Sequence, residues 1–232
     1  STRIIPKGGC YIIEIVYEDD GNIQQLNSNR IAAIDLGLNN FVTMVNNIGE
    51  SSIVINGKGI KSYNQYWNKK MSRLRSIAKT VNDLNWTKQM QKVTDKRYFK
   101  IEYFMHCASK CIVNYCIKHD IGTLVIGKND KWKQNSEMNK VTNQNFVYIP
   151  YETFINKLEY KCESVGINLI KTEESYTSGT SFLDNELPIK ENYDKSRRIK
   201  RGLFKSNNGE YINADVNGAF QIMRKVFSNV KA

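Results

Sequence analysis

The sequence predicts an α/β protein built on a mixed sheet, and three observations carry this. Residues 31–56 hold three short, β-branched runs, "IAAID", "FVTMVN" and "SSIVIN", separated by the turn segments "GLNN" and "NIGE". That is the pattern of an antiparallel meander. A wholly apolar run, "GTLVIG" at 122–127, shows no alternation and reads as a strand buried on both faces. Helical and strand patterns then alternate to the last helix, and a meander followed by β-α-β-α closes into a mixed sheet.

The remaining elements follow in order. "CYIIEIVYE" (10–18) alternates and reads as a strand, and "DDGNIQQLNSN" is a polar connector. Residues 61–83 place Tyr63, Trp67, Leu74 and Ile77 at helical intervals. Residues 88–119 keep the i, i+3, i+4 rhythm through Ile101, Phe104, Met105, Ala108, Ile112, Tyr115 and Cys116. The break at "DLNW" lets these two helices pair antiparallel. A polar stretch containing Trp132 runs to Pro150, and "YETFINKLEYKCESVG" is an amphipathic helix closed by Gly166. "INLIKTEE" is a further strand, 175–212 is basic and loop-like, and the last helix starts near Asn213 or Asp215 in "NADVNGAFQIMRKVF".

Bulk properties narrow the function. Lys and Arg number 34 against 23 Asp and Glu, a formal charge of +11, which favours a polyanionic partner such as nucleic acid. No apolar run approaches the ~20 residues that span a bilayer, and no signal-peptide pattern opens the chain. A soluble intracellular protein is expected. The 5 cysteines form no C-x-x-C pair, and their odd number argues against a disulfide framework. Buried free thiols are expected, with His106 structural and His119 at the surface.

The chemistry-bearing residues are acidic. Asp35 closes the first meander strand, Glu173 and Glu174 close the last strand, and Asp215 opens the final helix. Each has a plain explanation alone: a strand end, a solvated strand end, a helix cap. Together, at one end of a sheet, they would repel and require a cation. Hard oxygen ligands suit Mg²⁺ or Mn²⁺, and two ions ~4 Å apart clamp the two oxygens of a phosphodiester displacement. Two basic clusters would meet phosphates. One is Lys61, Lys69, Lys70, Arg73, Arg75 and Lys79 on a helix. The other is Lys195, Arg197, Arg198, Lys200, Arg201 and Lys205 in the loop-like stretch, with Phe204 among them as a stacking surface for a single strand. Either cluster is equally explained, residue by residue, as a solvated face.

Five stretches in fixed order, "IAAIDLGLNNFVTMV", "GKGIKSYNQYWNKK", "GTLVIGKNDKWKQ", "EESYTSGTSFLD" and "RIKRGLFKSNNGEYINADVNGA", resemble the C-terminal nuclease half of the TnpB (OrfB-type) transposon-encoded family. The resemblance implies an RNase H-like, RuvC-like mixed sheet with helices on both faces. It implies Mg²⁺-dependent, RNA-guided DNA cleavage, with guide RNA and target DNA as partners, in the cytoplasm of a prokaryotic cell or in a virus of one. Asp35 matches the family's first catalytic aspartate and Asp215 its last. The family's usual glutamate follows the strand matching "TLVI", where this chain has Gly127. A subset carries it later, before an aromatic-Thr-Ser stretch, which here is "EESYTS". Glu174 is therefore the expected third acid and Glu173 the reserve, since strand alternation would put the two on opposite faces.

Many members also carry zinc-binding cysteine pairs before the last aspartate. Residues 177–214 have no cysteine and no zinc is expected. "RIIPKGGCYIIEIVYE" resembles the last strand of the family's wedge domain. The expected organisation is 1–20 as that strand and 21–232 as the nuclease domain with a basic insert at 175–212. A wedge and recognition region would then be missing from these residues, and programmable cutting would depend on it. The alternative is a nuclease-inactive nucleic-acid-binding descendant.

Overall fold

The structure, a computed structural model, describes residues 1–18, 23–128 and 149–230. Its centre is a five-stranded sheet, β3 (Asn27–Leu36), β4 (Asn40–Asn46), β5 (Ile53–Asn56), β6 (Ile121–Gly127) and β7 (Asn168–Thr172), in the order β5-β4-β3-β6-β7. The β3-β4-β5 meander is antiparallel, while β6 and β7 run parallel to β3. The mixed sheet follows from the connections. Short turns join the meander, and helices return the chain for β6 and β7.

Side-chain alternation sorts this sheet into two cores. Ala32, Ile34 and Leu36 of β3, with Leu124 and Ile126 of β6, pack against α2 (Lys88–Lys118) and α3 (Tyr151–Glu163). Ile31 and Ala33, with Val45 and Val125, pack against α4 (Ala214–Val226). Asp35 continues the row of Ile31 and Ala33, so it emerges on the α4 face where the apolar row ends. Helices thus cover both faces, which is why every residue of β6 is buried.

α1 (Lys58–Asn82) lies antiparallel to α2. Their seam holds Met71, Ala78 and Met90, and Arg97 Nε donates to Asn64 Oδ1 at 2.7 Å. The helix begins earlier than its periodicity suggested, and its buried stripe runs through Ile60, Asn64, Met71 and Ala78. Ile77 falls outside that stripe and is exposed. Gly166, at φ +82°, ends the turn after α3 in the left-handed conformation that glycine tolerates.

Several expectations are corrected. The N-terminal segment is a hairpin, β1 (Thr2–Lys7) and β2 (Cys10–Ile15). Pro6 hid its first strand, but a two-stranded ribbon tolerates proline at its edge. The ribbon leans on α2, where Lys7 sits over the Tyr98 ring and Gly9 N donates to Asp95. Strand β7 ends at Thr172, short of Glu173 and Glu174. Cys116 and Cys162 are buried, but Cys107 and Cys111 are exposed. The histidines are reversed: the His106 side chain is 46% exposed and that of His119 only 17%. Tyr115 and the α2 terminus enclose His119. The stretch containing Trp132 lies outside the described residues.

The largest correction concerns 175–212. It is neither loop-like nor merely solvated, holding two 3₁₀ turns (Lys190–Asn192 and Lys195–Arg197) and a hairpin of β8 (Leu203–Lys205) and β9 (Tyr211–Asn213). Thr180, Ser181, Phe182, Phe204 and Ser206 are buried within it. Three α4 side chains fasten it down. Asn217 Nδ2 donates to Thr180 O at 2.8 Å, Gln221 Nε2 to Glu186 O at 3.1 Å and Arg224 Nη1 to Phe182 O at 3.1 Å. These three recur at helical spacing on one face, so a single stripe of α4 carries the insert.

Candidate active site

Asp35 lies within electrostatic reach of two further acids, Glu174 and Asp215, where β3, the end of β7 and α4 meet. Asp35 arrives by the alternation of β3. Asp215 lies in the first turn of α4, whose start is capped by Asn213, with Oδ1 accepting from Asp215 N and Val216 N at 2.9 and 3.2 Å. Glu174 follows β7, and its Oε2 lies 3.2 Å from the point where a Cβ on Gly127 would stand. Gly127 continues the row of Val125 on the α4 face, so a side chain there would enter the same space. That Cβ would meet Ile222 Cδ1 first, at 2.7 Å, so the glycine gives room to Ile222 of α4 as well as to Glu174. Gly218 makes the matching concession on α4: a Cβ there would stand 3.0 Å from Asp35 Oδ2. A larger residue there would crowd the carboxylate, which would have to shift by a few tenths of an ångström.

The electrostatics agree with this placement. Burial, then the charge of Glu174 and then that of Asp215, raise the Asp35 carboxyl well above the ordinary aspartate range, while Arg198 and the Leu36 amide oppose the rise. Asp215 is turned outward, with Asn40 Nδ2 donating to its Oδ2 at 2.8 Å and Arg198 Nη2 to its Oδ1 at 3.3 Å. Among the described residues, no three acidic, histidine or cysteine side chains are placed together to hold a metal ion. The donor chemistry is nevertheless of the kind a hard divalent cation takes: carboxylates on β3, on the chain just after β7 and on α4.

Glu173 stands apart. Its side chain is 62% exposed and paired with Lys225, and its Oε2 accepts from Ser175 N at 2.8 Å. Of the basic residues, Lys61 Nζ donates to Asn39 Oδ1 at 3.2 Å beside the site, and Lys69 and Arg73 line a groove along α1. Lys70 is half-buried on the same helix, and Lys200, Arg201 and Lys205 are exposed. Arg197 is not available in the same way, because Nη1 donates to both Glu186 carboxylate oxygens at 2.9 and 2.7 Å. Phe204 is fully buried and offers no stacking surface.

Two residues of the site carried no signal in the sequence. Asn40 reads as a turn residue, yet it opens β4 and holds Asp215. Tyr151, 5% exposed, donates from its hydroxyl to Gly37 O at 3.0 Å. Burial, with Asp35 and Glu174 next, pushes that phenol's pKa up. Only the pairing of α3 with the end of β3 brings it there.

A mixed β5-β4-β3-β6-β7 sheet covered on both faces by helices is the RNase H-like, RuvC-like class of fold. The model of the probable transposase family OrfB_IS605 matches residues 14–133, and that of the Cas12f1-like TNB domain matches 151–222. The chain belongs to this OrfB-type, TnpB family. It is similar to the TnpB-like protein ORF457 of Acidianus two-tailed virus, 23% identical over 206 residues, which cover 85% of this chain and 42% of that protein. Two solved structures share the fold. A Cas12f1-sgRNA-target DNA complex has a TM-score of 0.61 and 21% identity, over 91% of this chain and 52% of that one. A CRISPR-Cas12f ternary complex has a TM-score of 0.63 and 21% identity, over 91% and 41%. The chain thus spans about half the length of the relatives it matches. No helix among the described residues is long and apolar enough to cross a membrane.

Proposed function

We propose that these residues form the RuvC-like nuclease domain of a transposon-encoded, RNA-guided DNA endonuclease, with Asp35, Glu174 and Asp215 as its catalytic acids. One observation carries the reading: a carboxylate on the α4 face of β3 is surrounded by two further acids from separate elements. Such crowding raises the cost of ionising Asp35, which a bound cation would offset. When bound there, two Mg²⁺ or Mn²⁺ ions would stabilise the attacking and leaving oxygens of a phosphodiester. Asp35 would hold them from β3, Glu174 from the chain just after β7 and Asp215 from the helix. No zinc is assigned to the insert, whose fastening to α4 uses amide and guanidinium groups.

Arg198 sits beside Asp215, placed to exchange that carboxylate for a backbone phosphate. Lys61, Lys69, Lys70 and Arg73, with Lys200, Arg201 and Lys205, supply charge for nucleic acid on either side. Guide RNA and target DNA are the proposed partners, by likeness to the Cas12f1 complex. The hairpin at 1–18 is proposed as the end of a wedge-type domain.

The test is Mg²⁺-dependent cleavage of matched DNA by the complete nuclease with its guide RNA. Asp35→Asn, Glu174→Gln and Asp215→Asn should each abolish cutting while leaving nucleic-acid binding intact. Wild-type cutting by all three variants would leave a nuclease-inactive binding protein as the better reading.

A further inference from the structure

Thr43 lies directly opposite Asp35 in the antiparallel pairing of β3 with β4. Opposed residues of such a pair share a face of the sheet and stand as nearest side-chain neighbours. The next opposed pair on that face, Ala33 and Val45, packs against Ala219 and Ile222 of α4. Thr43 therefore faces α4 beside the Asp35 carboxylate. It is only 1% exposed, and its hydroxyl is among the few buried side-chain polar atoms of the described residues with no hydrogen-bond partner. A buried hydroxyl without a partner carries a desolvation penalty that a valine of the same shape would not. Its neighbours along β4 on both faces, Val42, Met44 and Val45, are apolar and fully enclosed. An orphaned hydroxyl at this one position calls for a role.

We propose that Thr43 is a positioning residue for the metal-binding carboxylate, its hydroxyl donating to Asp35 once that aspartate engages a divalent cation. The inference rests on the reading of Asp35 as a metal ligand. An aspartate that ligates through one oxygen is oriented by a donor on the other, and such supporting partners tune affinity without touching the ion. Asn40 gives Asp215 that support through its amide. Thr43 is the corresponding group for Asp35, from the same strand.

The experiment measures Mn²⁺ binding by the purified chain, together with thermal melting in chelator. The variants are Thr43→Val, Thr43→Ser, Thr43→Ala and, as reference, Asp35→Asn. Thr43→Val should weaken Mn²⁺ by about tenfold while leaving the metal-free melting temperature equal or higher. Thr43→Ser should bind within about twofold of wild type, against the same tenfold loss for Thr43→Ala, so the comparison survives should valine pack poorly. Asp35-dependent Mn²⁺ binding that Thr43→Val and Thr43→Ala leave untouched would overturn the role of Thr43 alone. Absence of any Mn²⁺ binding that depends on Asp35 would overturn the carboxylate reading, and this inference with it.

Discussion

Helix α4 serves two carboxylates that are treated in opposite ways. At its start Asp35 is crowded by Glu174 and Asp215, with Arg198 as the cation that opposes them. Further along, the helix holds the segment around Glu186, whose carboxylate is saturated. It accepts both bonds from Arg197, one from Ser181 N at 2.8 Å and one from Asn207 Nδ2 at 2.9 Å. The second cluster closes three stretches of the insert on one another and leaves little for a ligand to add. The first is left short of positive charge. A satisfied, enclosed ion pair specifies structure, whereas a crowd of like charges maintained against its own repulsion marks a place where something else binds.

The largest effect expected from breaking this contrast is at Asp35. Asp35→Asn should reduce cleavage by more than about 10³-fold, because several kcal/mol of transition-state charge stabilisation depends on the ions it would hold. Above the raised folded pKa, the same substitution should raise the metal-free melting temperature, since it removes a charge that burial, Glu174 and Asp215 all oppose. The pH dependence follows. Asp35 keeps its proton to higher pH in the folded than in the unfolded chain, so the folded state binds more protons from about 3.8 up to the raised folded value. Stability is therefore lost as pH rises through that interval, and the loss persists above it. Melting curves of wild type and Asp35→Asn in chelator should diverge as pH rises. Parallel curves would show that Asp35 is not crowded.

The saturated cluster should fail differently. The side chains of Arg197 and Glu186 are 14% and 15% exposed, so Arg197→Leu leaves an enclosed carboxylate without its cation. It should cost up to about 3 kcal/mol, read by chemical denaturation. Hydrogen exchange should localise the loosening to 181–207, with β3 to β6 still protected. Metal affinity at Asp35 should change far less than stability. A loss of protection across the central sheet would mean that insert and sheet fold as one unit.

This division explains what was legible in the sequence. The meander, the buried β6 and the α2 face are periodic, and periodicity is local, so residues 31–46 and 101–127 read correctly. The insert has no period. Its order comes from Asn217, Gln221 and Arg224 reaching carbonyls more than 30 residues earlier in the chain, and composition alone reads it as loop. Asp35 and Asp215 stand out as acids at element boundaries. Glu174 could be chosen over Glu173 only by family resemblance, because both lie beyond the end of β7, where strand alternation no longer applies. Arg197 and Phe204 show the same limit: charge and aromaticity are visible in a sequence, but burial and ion pairing are not. Tyr151, Asn40 and Thr43 depend on which strands and helices meet, and no spacing in the chain expresses that.

Arg198 links the two regions and should give an intermediate effect. It reaches Asp215 from the insert and opposes the rise of the Asp35 pKa. Arg198→Gln should lower cleavage by about tenfold, the scale of one charge-assisted hydrogen bond. It should also move the acid limb of the pH–rate profile to higher pH, because Asp35 loses the cation that favours its ionised form. Arg201→Gln, exposed in the same basic run, should weaken binding without moving the limb. If both variants shift it equally, the effect is one of general surface charge.

The smallest effect is expected one residue from the largest. Glu173 and Glu174 are adjacent and chemically alike, but Glu173 spends its carboxylate on Lys225 and on the Ser175 amide, while Glu174 extends into the space that Gly127 leaves. The Glu173 side of this pair is 62% exposed and screened by solvent although Lys225 is only 11% exposed, so the pair is worth about 1 kcal/mol, and glutamine at 173 can still accept from Ser175 N. Glu173→Gln should therefore slow cleavage by less than about fivefold, and Lys225→Met should match it, since both break the same pair. Glu174→Gln should abolish cutting under the same conditions. The informative result is the joint one. If Glu173→Gln is as damaging as Glu174→Gln while Lys225→Met is silent, Glu173 acts on the metals itself and the chain after β7 must turn the other way in the active complex. If Glu173→Gln and Lys225→Met are damaging together, the pair is the anchor that aims Glu174, and the contrast between neighbouring acids becomes one between a ligand and its support.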